Sequence, residues 1–329
     1  MGLGVTLALL AWALHGVDAR ALVGHLGRAH PGLMLATVAL ATLTFPLRTI
    51  RWQLILRDSR GGAFPLRPLW HATAIGFMAN NLLPVRAGEF ARAYAAQQAL
   101  SVRFATALAS VGVERVLDGL MLVALLTVAL LAPSFPRHVT LGGTSLATLA
   151  TGGAVLFGAV LVVALLVVHR PAPWLALLRR LSHAVLPARW ADRLTHVAEG
   201  LVAGLEVLKR PGHFLGVVAW SLALWLVNAA AFAVCFRAFG LPVPAAGALL
   251  LQGIIGFGVA LPSSPGFVGV FEAATRATLA IYGIEPTLAV SYAVAYHVTT
   301  FVPITLLGLY SLTRLRLHLT QLRAAAEEG

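Results

Sequence analysis

Charge is what this sequence has least of. Of 329 residues, 11% are Asp, Glu, Lys or Arg and 59% are hydrophobic. Soluble domains carry about 25% charged residues. The composition therefore excludes an ordinary soluble globule and places the chain in a membrane. Lysine is nearly missing: Lys209 stands alone, so the net charge of +12 rests on arginine. Cysteine is equally rare. The single Cys235, set in an apolar run, excludes an intrachain disulfide and a cysteine metal cluster. The 11 histidines are scattered without ligand spacing. No G-x-x-x-x-G-K-[ST] occurs, which excludes a P-loop nucleotide motor. No H-E-x-x-H and no G-x-S-x-G nucleophile elbow occurs either. No cofactor, metal or catalytic residue is expected. In a soluble protein the basic charge would suggest nucleic acid. Here it reads as arginines on the cytoplasmic face, attracted to anionic lipid head groups, with no nucleic-acid partner.

Long apolar runs supply the architecture. The expectation is an all-α, polytopic integral membrane bundle with about six full spans and two re-entrant helical hairpins in an inverted repeat. It forms a single domain over 1–329. The first half covers about 32–132, a cytoplasmic amphipathic loop covers 170–210, and the second half covers about 212–316. The apolar N-terminal run from Gly2 to Gly16 lacks a basic leader and a cleavage site, so it reads as a short first membrane helix. Asp18 to His30 reads as a polar connector, and Gly32 to Ile50 as the second helix. Arg48, Arg51, Arg57, Arg60 and Arg67 are then expected in one cytoplasmic loop, which places the N-terminus inside. Spans are further expected over Phe104–Leu131, Thr144–Val168, Phe214–Phe239 and Leu288–Leu312. Arg314, Arg316 and Arg323 place the C-terminus inside as well. In 170–210, apolar residues at three- and four-residue steps alternate with arginines. This fits helices on the inner membrane surface and equally a helical hairpin packed on the loops.

Two stretches break the pattern. Asn80-Asn81-Leu82-Leu83-Pro84-Val85-Arg86-Ala87-Gly88-Glu89 runs on to Arg92, directly after the apolar Ile75–Met78. Leu261-Pro262-Ser263-Ser264-Pro265-Gly266 runs on through Gly269 to Glu272. Such backbone at membrane depth survives only when buried in protein or lining a wet cavity, and charges there mark pathways and sites. With the flanking spans, each half reads span, hairpin, span in opposite orientation, which places a site between two broken elements. Two tight turns at helix ends are the alternative.

The planar guanidinium of arginine suits phosphate. Arg86 and Arg92 are thus candidate head-group ligands, with Glu89 orienting one of them and Asn80 and Asn81 capping or donating. Ser263, Ser264, Gly266 and Gly269 offer donors and close backbone approach, with Pro84, Gly88, Pro262 and Pro265 shaping the turns. Glu272 is expected to pair with Arg276 at i+4. Glu114, Arg115 and Asp118 share a helix face, and the two carboxylates at i, i+4 require a cation such as Arg86, Arg92 or Arg115 between them. All of these groups can equally form an internal ion-pair network that holds the bundle. His297 is either a packed hydrogen-bonding residue or a proton or head-group contact.

Taken in order, Arg51-Trp52, Asn80-x3-Pro84-x-Arg86-x-Gly88-Glu89-x2-Arg92, Glu114-Arg115-x2-Asp118 and Pro262-x2-Pro265-Gly266-x2-Gly269-x2-Glu272 with Gly283-Ile284 make the chain resemble a known family. It is the membrane, flippase-like domain of lysylphosphatidylglycerol synthases and their stand-alone relatives. The resemblance covers roughly Gly2 to Arg316. It implies an inner-membrane protein of bacterial type that moves a phospholipid, or a polyprenyl or hopanoid-type lipid, between leaflets and is not an enzyme. The chain looks like a stand-alone member without the aminoacyl-transferase domain. Its expected partners are membrane lipids with an anionic or phosphate-bearing head group, and a lipid-biosynthesis enzyme. Two rivals remain open. One is a membrane enzyme on polyprenyl-phosphate lipids, for which Glu114 and Asp118 are the candidate metal ligands. The other is a non-transporting partner of a lipid-modifying enzyme.

Overall fold

The structure, a computed structural model, describes residues 2–58, 61–83, 87–136, 140–141, 144–205, 211–259 and 264–328. Among the described residues the protein is helical apart from one antiparallel β pair of two-residue strands, Thr140–Leu141 with Thr144–Ser145. Helices are what apolar sequence must form in lipid, because every backbone N–H and C=O has to find its partner within the chain.

Helix α1 (Gly2–Leu14) meets α2 (Ala19–Arg28) at an 81° bend. The expected connector 18–30 is therefore mostly helix. Its start is fixed by Asp18, whose side chain accepts from the backbone amides of Arg20 and Ala21. Helix α3 (Pro31–Ile55) runs beyond the expected end at Ile50. Arg48 and Arg51 thus lie inside a membrane helix and not in a cytoplasmic loop. The helix continues through them because carboxylates on a later helix meet both side chains. Helices α4 (Leu66–Leu82) and α5 (Gly88–Ala99) form one pair, followed by the long α6 (Phe104–Leu131) and α7 (Leu146–His169). After α8 (Pro171–Val185), α9 (Ala188–Leu205) and α10 (Pro211–Ala238) comes a second pair, α11 (Ala245–Gly258) and α12 (Val270–Ile281), with a 3-10 turn at Pro265–Phe267 between them. Helices α13 (Pro286–Leu315) and α14 (Leu319–Glu328) close the chain.

Helices α3, α10 and α13 are long and apolar enough to cross a membrane, and the bent α1–α2 pair meets the same test as a unit. Helix α6 has 28 residues but carries Glu114, Arg115 and Asp118 in its first half. Packing between the halves is reciprocal. Helices α3 and α10 lie along each other, α13 packs on α4, and α6 packs on α11. Each closing helix thus covers the broken pair of the other half, as two related halves would arrange. Gly308 permits the α13–α4 approach, since an added methyl would run into Met78 and the Ala74 carbonyl. Apolar cores fill both pairs. Trp52, Leu69, Ile75 and Met78 are buried at the first, and Phe232, Leu251, Tyr292 and Tyr296 at the second.

The amphipathic stretch forms a helical hairpin. Helices α8 and α9 pack together, His183 Nε2 lies 3.1 Å from Asp192 Oδ1, and α9 rests on α6. Leu177, Leu181, Val185 and Trp190 stay exposed, which leaves an apolar face for lipid.

Helix α13 depends on its cap. Glu285 accepts from the backbone amides of Thr287 at 2.8 Å and Leu288 at 3.0 Å. Glu285→Ala is expected to cost about 1 kcal/mol, the usual worth of a cap. An unchanged rate of labelling of the single thiol, Cys235, under partial denaturation would contradict this.

Candidate functional site

Four helices converge on a buried network of charges. Arg51 of α3, fully enclosed, sits between the carboxylates of α6. Its Nη2 lies 3.1 Å from Glu114 Oε1 and its Nη1 lies 2.5 Å from Asp118 Oδ1. Nη1 also reaches Ser221 Oγ of α10 at 3.3 Å. Arg92 of α5 holds the other oxygen of Glu114 through Nη1. Asp118 Oδ2 has Arg115 Nη2 at 3.4 Å and Arg48 Nη1 at 3.6 Å, while its Oδ1 accepts from Trp225 Nε1 at 3.1 Å. The cation required between Glu114 and Asp118 is therefore Arg51, with Arg92 and Arg115 each touching one of the two. Aromatic faces hold the arginines from behind. The Arg92 guanidinium lies 3.7 Å from the Trp52 ring centre, and the Arg48 guanidinium lies 5.0 Å from that of Phe77.

The first broken pair brings further groups to this network. Asn80 Oδ1 accepts from Gly88 N–H at 2.9 Å, tying the end of α4 to the start of α5. Gly88 is needed there, because a Cβ would collide with the Gly76 carbonyl and with Asn80. The close approach turns Glu89 and Arg92 toward α6. Gly76, Phe77, Asn80, Gly88, Glu89, Arg92, Val111 and Arg115 then line a partly open cavity of about 20 Å³, room for about one water. Glu89 Oε2 and the Nε and Nη2 of Arg92 are buried there without a hydrogen-bond partner. Arg115, with 40% of its side chain exposed, forms the rim. Among the described residues, the guanidinium groups of Arg48, Arg51, Arg92 and Arg115 face the carboxylates of Glu89, Glu114 and Asp118, which leaves one surplus positive charge.

The second pair builds a separate cluster. Glu272 does not pair with Arg276. Its Oε1 meets His297 Nδ1 at 2.6 Å and its Oε2 accepts from Gly269 N–H at 2.6 Å. Arg276 instead donates to the carbonyls of Trp12, Ala13 and His15 at the end of α1. They lie at the C-terminal end of α1, where the helix dipole favours a cation. Ser264 N–H donates to Thr6 Oγ1 at 2.9 Å, and Ser264 Oγ donates to the Val268 carbonyl. The two pairs meet at their tips. Helix α4 packs on the Pro265–Phe267 turn, where a methyl added to Gly266 would lie 3.6 Å from the Asn81 carbonyl oxygen, and Asn81 Nδ2 donates to Thr305 Oγ1 of α13 at 3.0 Å. Arg86, Ser263, Pro84 and Pro262 lie outside the described residues.

Sequence reasoning missed Arg51, Arg48, Ser221 and Trp225 as site residues. A signal existed for the arginines. Two carboxylates at i, i+4 in one apolar helix demand cations, and Arg48 and Arg51 at i, i+3 offer two on one face of another.

A family model described as the lysylphosphatidylglycerol synthase TM region matches residues 1–308. The chain belongs to this family. Membership of the lysylphosphatidylglycerol synthase TM region makes it a multi-pass membrane protein of a lipid-related family. Glycosyltransferase AglD of Haloferax volcanii is 29% identical over 99% of this chain and 55% of its own length. The chain thus spans about half of that relative. A UPF0104 membrane protein of Methanothermobacter thermautotrophicus is 26% identical over 80% of this chain and 77% of its own length.

Proposed function

We propose that this protein is a lipid transporter of flippase type, acting without covalent chemistry, that moves a phosphate-bearing lipid between leaflets of the plasma membrane. The observation that carries the reading is the surplus positive charge at a broken helix pair, with donors of Arg92 left unpartnered. Donors left without a partner are costly away from water, and charged side chains kept within membrane segments mark ion and substrate paths. An anionic head group would supply the missing partner. Arg115 at the rim meets it first and Arg92 receives it inside, while the acyl or prenyl chains stay in the bilayer. The cavity holds about one water, so a head group enters fully once the α4–α5 pair parts from α6. The two pairs act as re-entrant hairpins in this scheme, and their contact at Asn81 and Gly266 closes the path.

Arg115 and Glu89 test this best, because neither is packed as Arg51 is. Arg115→Ala is expected to slow lipid movement in proteoliposomes about tenfold or more, the worth of one charge-assisted hydrogen bond. Glu89→Ala should change the preference among head groups. Parental rates and preference in both folded variants would contradict the proposal.

A second reading draws on the relative named a glycosyltransferase. In it the chain handles a lipid carrier for a glycosyl-transferring partner. A metal-dependent enzyme has less support, since Glu114 and Asp118 are occupied by arginines. Lipid-linked sugar formed only when a partner enzyme is added, with no lipid movement by the chain alone, would favour this reading.

A further inference from the structure

The His297 ring is held by acceptors on both sides. Its Nδ1 lies 2.6 Å from Glu272 Oε1, and its Nε2 lies 2.8 Å from the carbonyl oxygen of Gly266. A neutral imidazole has one N–H and one lone pair, so it satisfies only one of two acceptors. An ionised Glu272 beside a neutral His297 would leave a lone pair facing an oxygen at hydrogen-bond distance. One further hydrogen removes the conflict. It sits either on His297, which then donates from both nitrogens, or on Glu272, which then donates to Nδ1 while Nε2–H donates to Gly266.

We infer that Glu272 and His297 form a proton-binding site, and that the bound proton clamps the tip of the second helix pair through Gly266. The inference does not depend on which lipid, if any, the protein moves. The pair is enclosed, with 14% of the His297 side chain and 7% of the Glu272 side chain exposed. Aromatic rings wall it in. Phe271 lies 4.8 Å and Phe301 6.2 Å from the imidazole, centre to centre. Few waters reach this place to replace a missing proton.

Among the described residues, the ionisable groups on the packed helices meet other partners, apart from Glu89 of α5, which lines the cavity beside Arg92. Helices α1 and α11 carry none, and α1 and α4 present the neutral Thr6 and Asn81 to this tip. On α12, Arg276 is turned to the end of α1. On α13, Tyr296 stacks on Phe232 and Phe271. On α2, His25 meets Ser291, and on α4 His71 meets Ser311, both turns away from His297 along α13. On α3 and α5, Arg48, Arg51 and Arg92 serve the α6 carboxylates. On α10, Cys235 is buried against Met34. Among the described residues, none of these groups bonds to Glu272 or His297.

The clamped turn is one that needs holding. Gly266, Phe267 and Gly269 all have left-handed backbone, with φ of 68°, 60° and 85°. Phe267 adopts this against the preference of a side chain with a Cβ. Loss of the proton would break one of the two bonds to His297. Release of Gly266 would free the turn from α13, and with it the contact to Asn81 of the first pair.

The test uses the full chain in lipid bilayers with nitrogen-15 histidine and carbon-13 glutamate, read by solid-state NMR. At neutral pH one signal should disappear in His297→Gln or in Glu272→Gln: a ring protonated on both nitrogens, or a protonated carboxyl. Hydrogen exchange of residues 264–275, corrected for intrinsic rates, should quicken as the pH is raised and the proton leaves the pair. The His297→Gln protein should lose that dependence. A neutral ring beside an ionised Glu272 at neutral pH would overturn the inference. So would the same exchange profile in parental and His297→Gln protein.

Discussion

Arg51→Met is expected to cost about 3–5 kcal/mol, the loss seen when one partner of a buried ion pair is removed. Arg51 is fully enclosed and touches both carboxylates of α6. Without it, Glu114 keeps only Arg92, and Asp118 keeps Arg48 and Arg115 at 3.6 and 3.4 Å. The methionine fills much of the volume, so the loss measures charge more than cavity. The chain carries its own reporter: Cys235 is its single thiol and is buried. Its labelling rate in detergent, across a denaturant series, gives the free energy. A loss below about 1 kcal/mol, the usual range of an exposed pair, would show that the network is open to water.

Gly88→Val should be comparably damaging for a steric reason. Even the Cβ of an alanine at this position would meet the Gly76 carbonyl and the Asn80 side chain, at the point where α5 crosses α4. Overpacking of a tight contact costs about 1–3 kcal/mol. Here it would also separate Gly88 N–H from Asn80 Oδ1. The expected result is a less stable protein whose α4–α5 pair is displaced, so that lipid movement falls further than in Arg115→Ala. Gly119→Val is the control, because an added Cβ at Gly119 meets nothing within 4 Å. Equal behaviour of the two valine variants would contradict the tight crossing.

The broken stretches at Asn80–Arg92 and Leu261–Glu272 were legible because polar, proline and glycine residues interrupt apolar runs, a pattern that lipid tolerates only at special places. The pairing of Glu114 and Asp118 with arginine was legible from charge alone, since two carboxylates in an apolar helix need cations. The identity of the central cation was not. Arg48 and Arg51 stand beside Arg57, Arg60 and Arg67 in sequence, and a run of arginines after an apolar segment reads as a cytoplasmic loop. Only the packing of α3 against α6 separates the enclosed Arg51 from the exposed Arg67. Glu272 was misread for a similar reason. The local rule favours Arg276 at i+4, but Arg276 is drawn to the carbonyls at the C-terminal end of α1, while His297 arrives from a helix that sequence distance hides. The bend between α1 and α2 escaped because α2 is polar on one face and short, and only its cap at Asp18 marks its start.

The measurement that bears most directly on the account is leaflet accessibility in proteoliposomes. Labelled anionic phospholipid, zwitterionic phospholipid and polyprenyl-phosphate lipid would be compared with parental, Arg115→Ala and protein-free vesicles. The account predicts that at least one phosphate-bearing lipid moves faster with parental protein than without protein, and that Arg115→Ala removes most of that gain while Cys235 stays protected. Equal rates with and without folded parental protein for all three lipids would contradict it, as would a rate indifferent to Arg115.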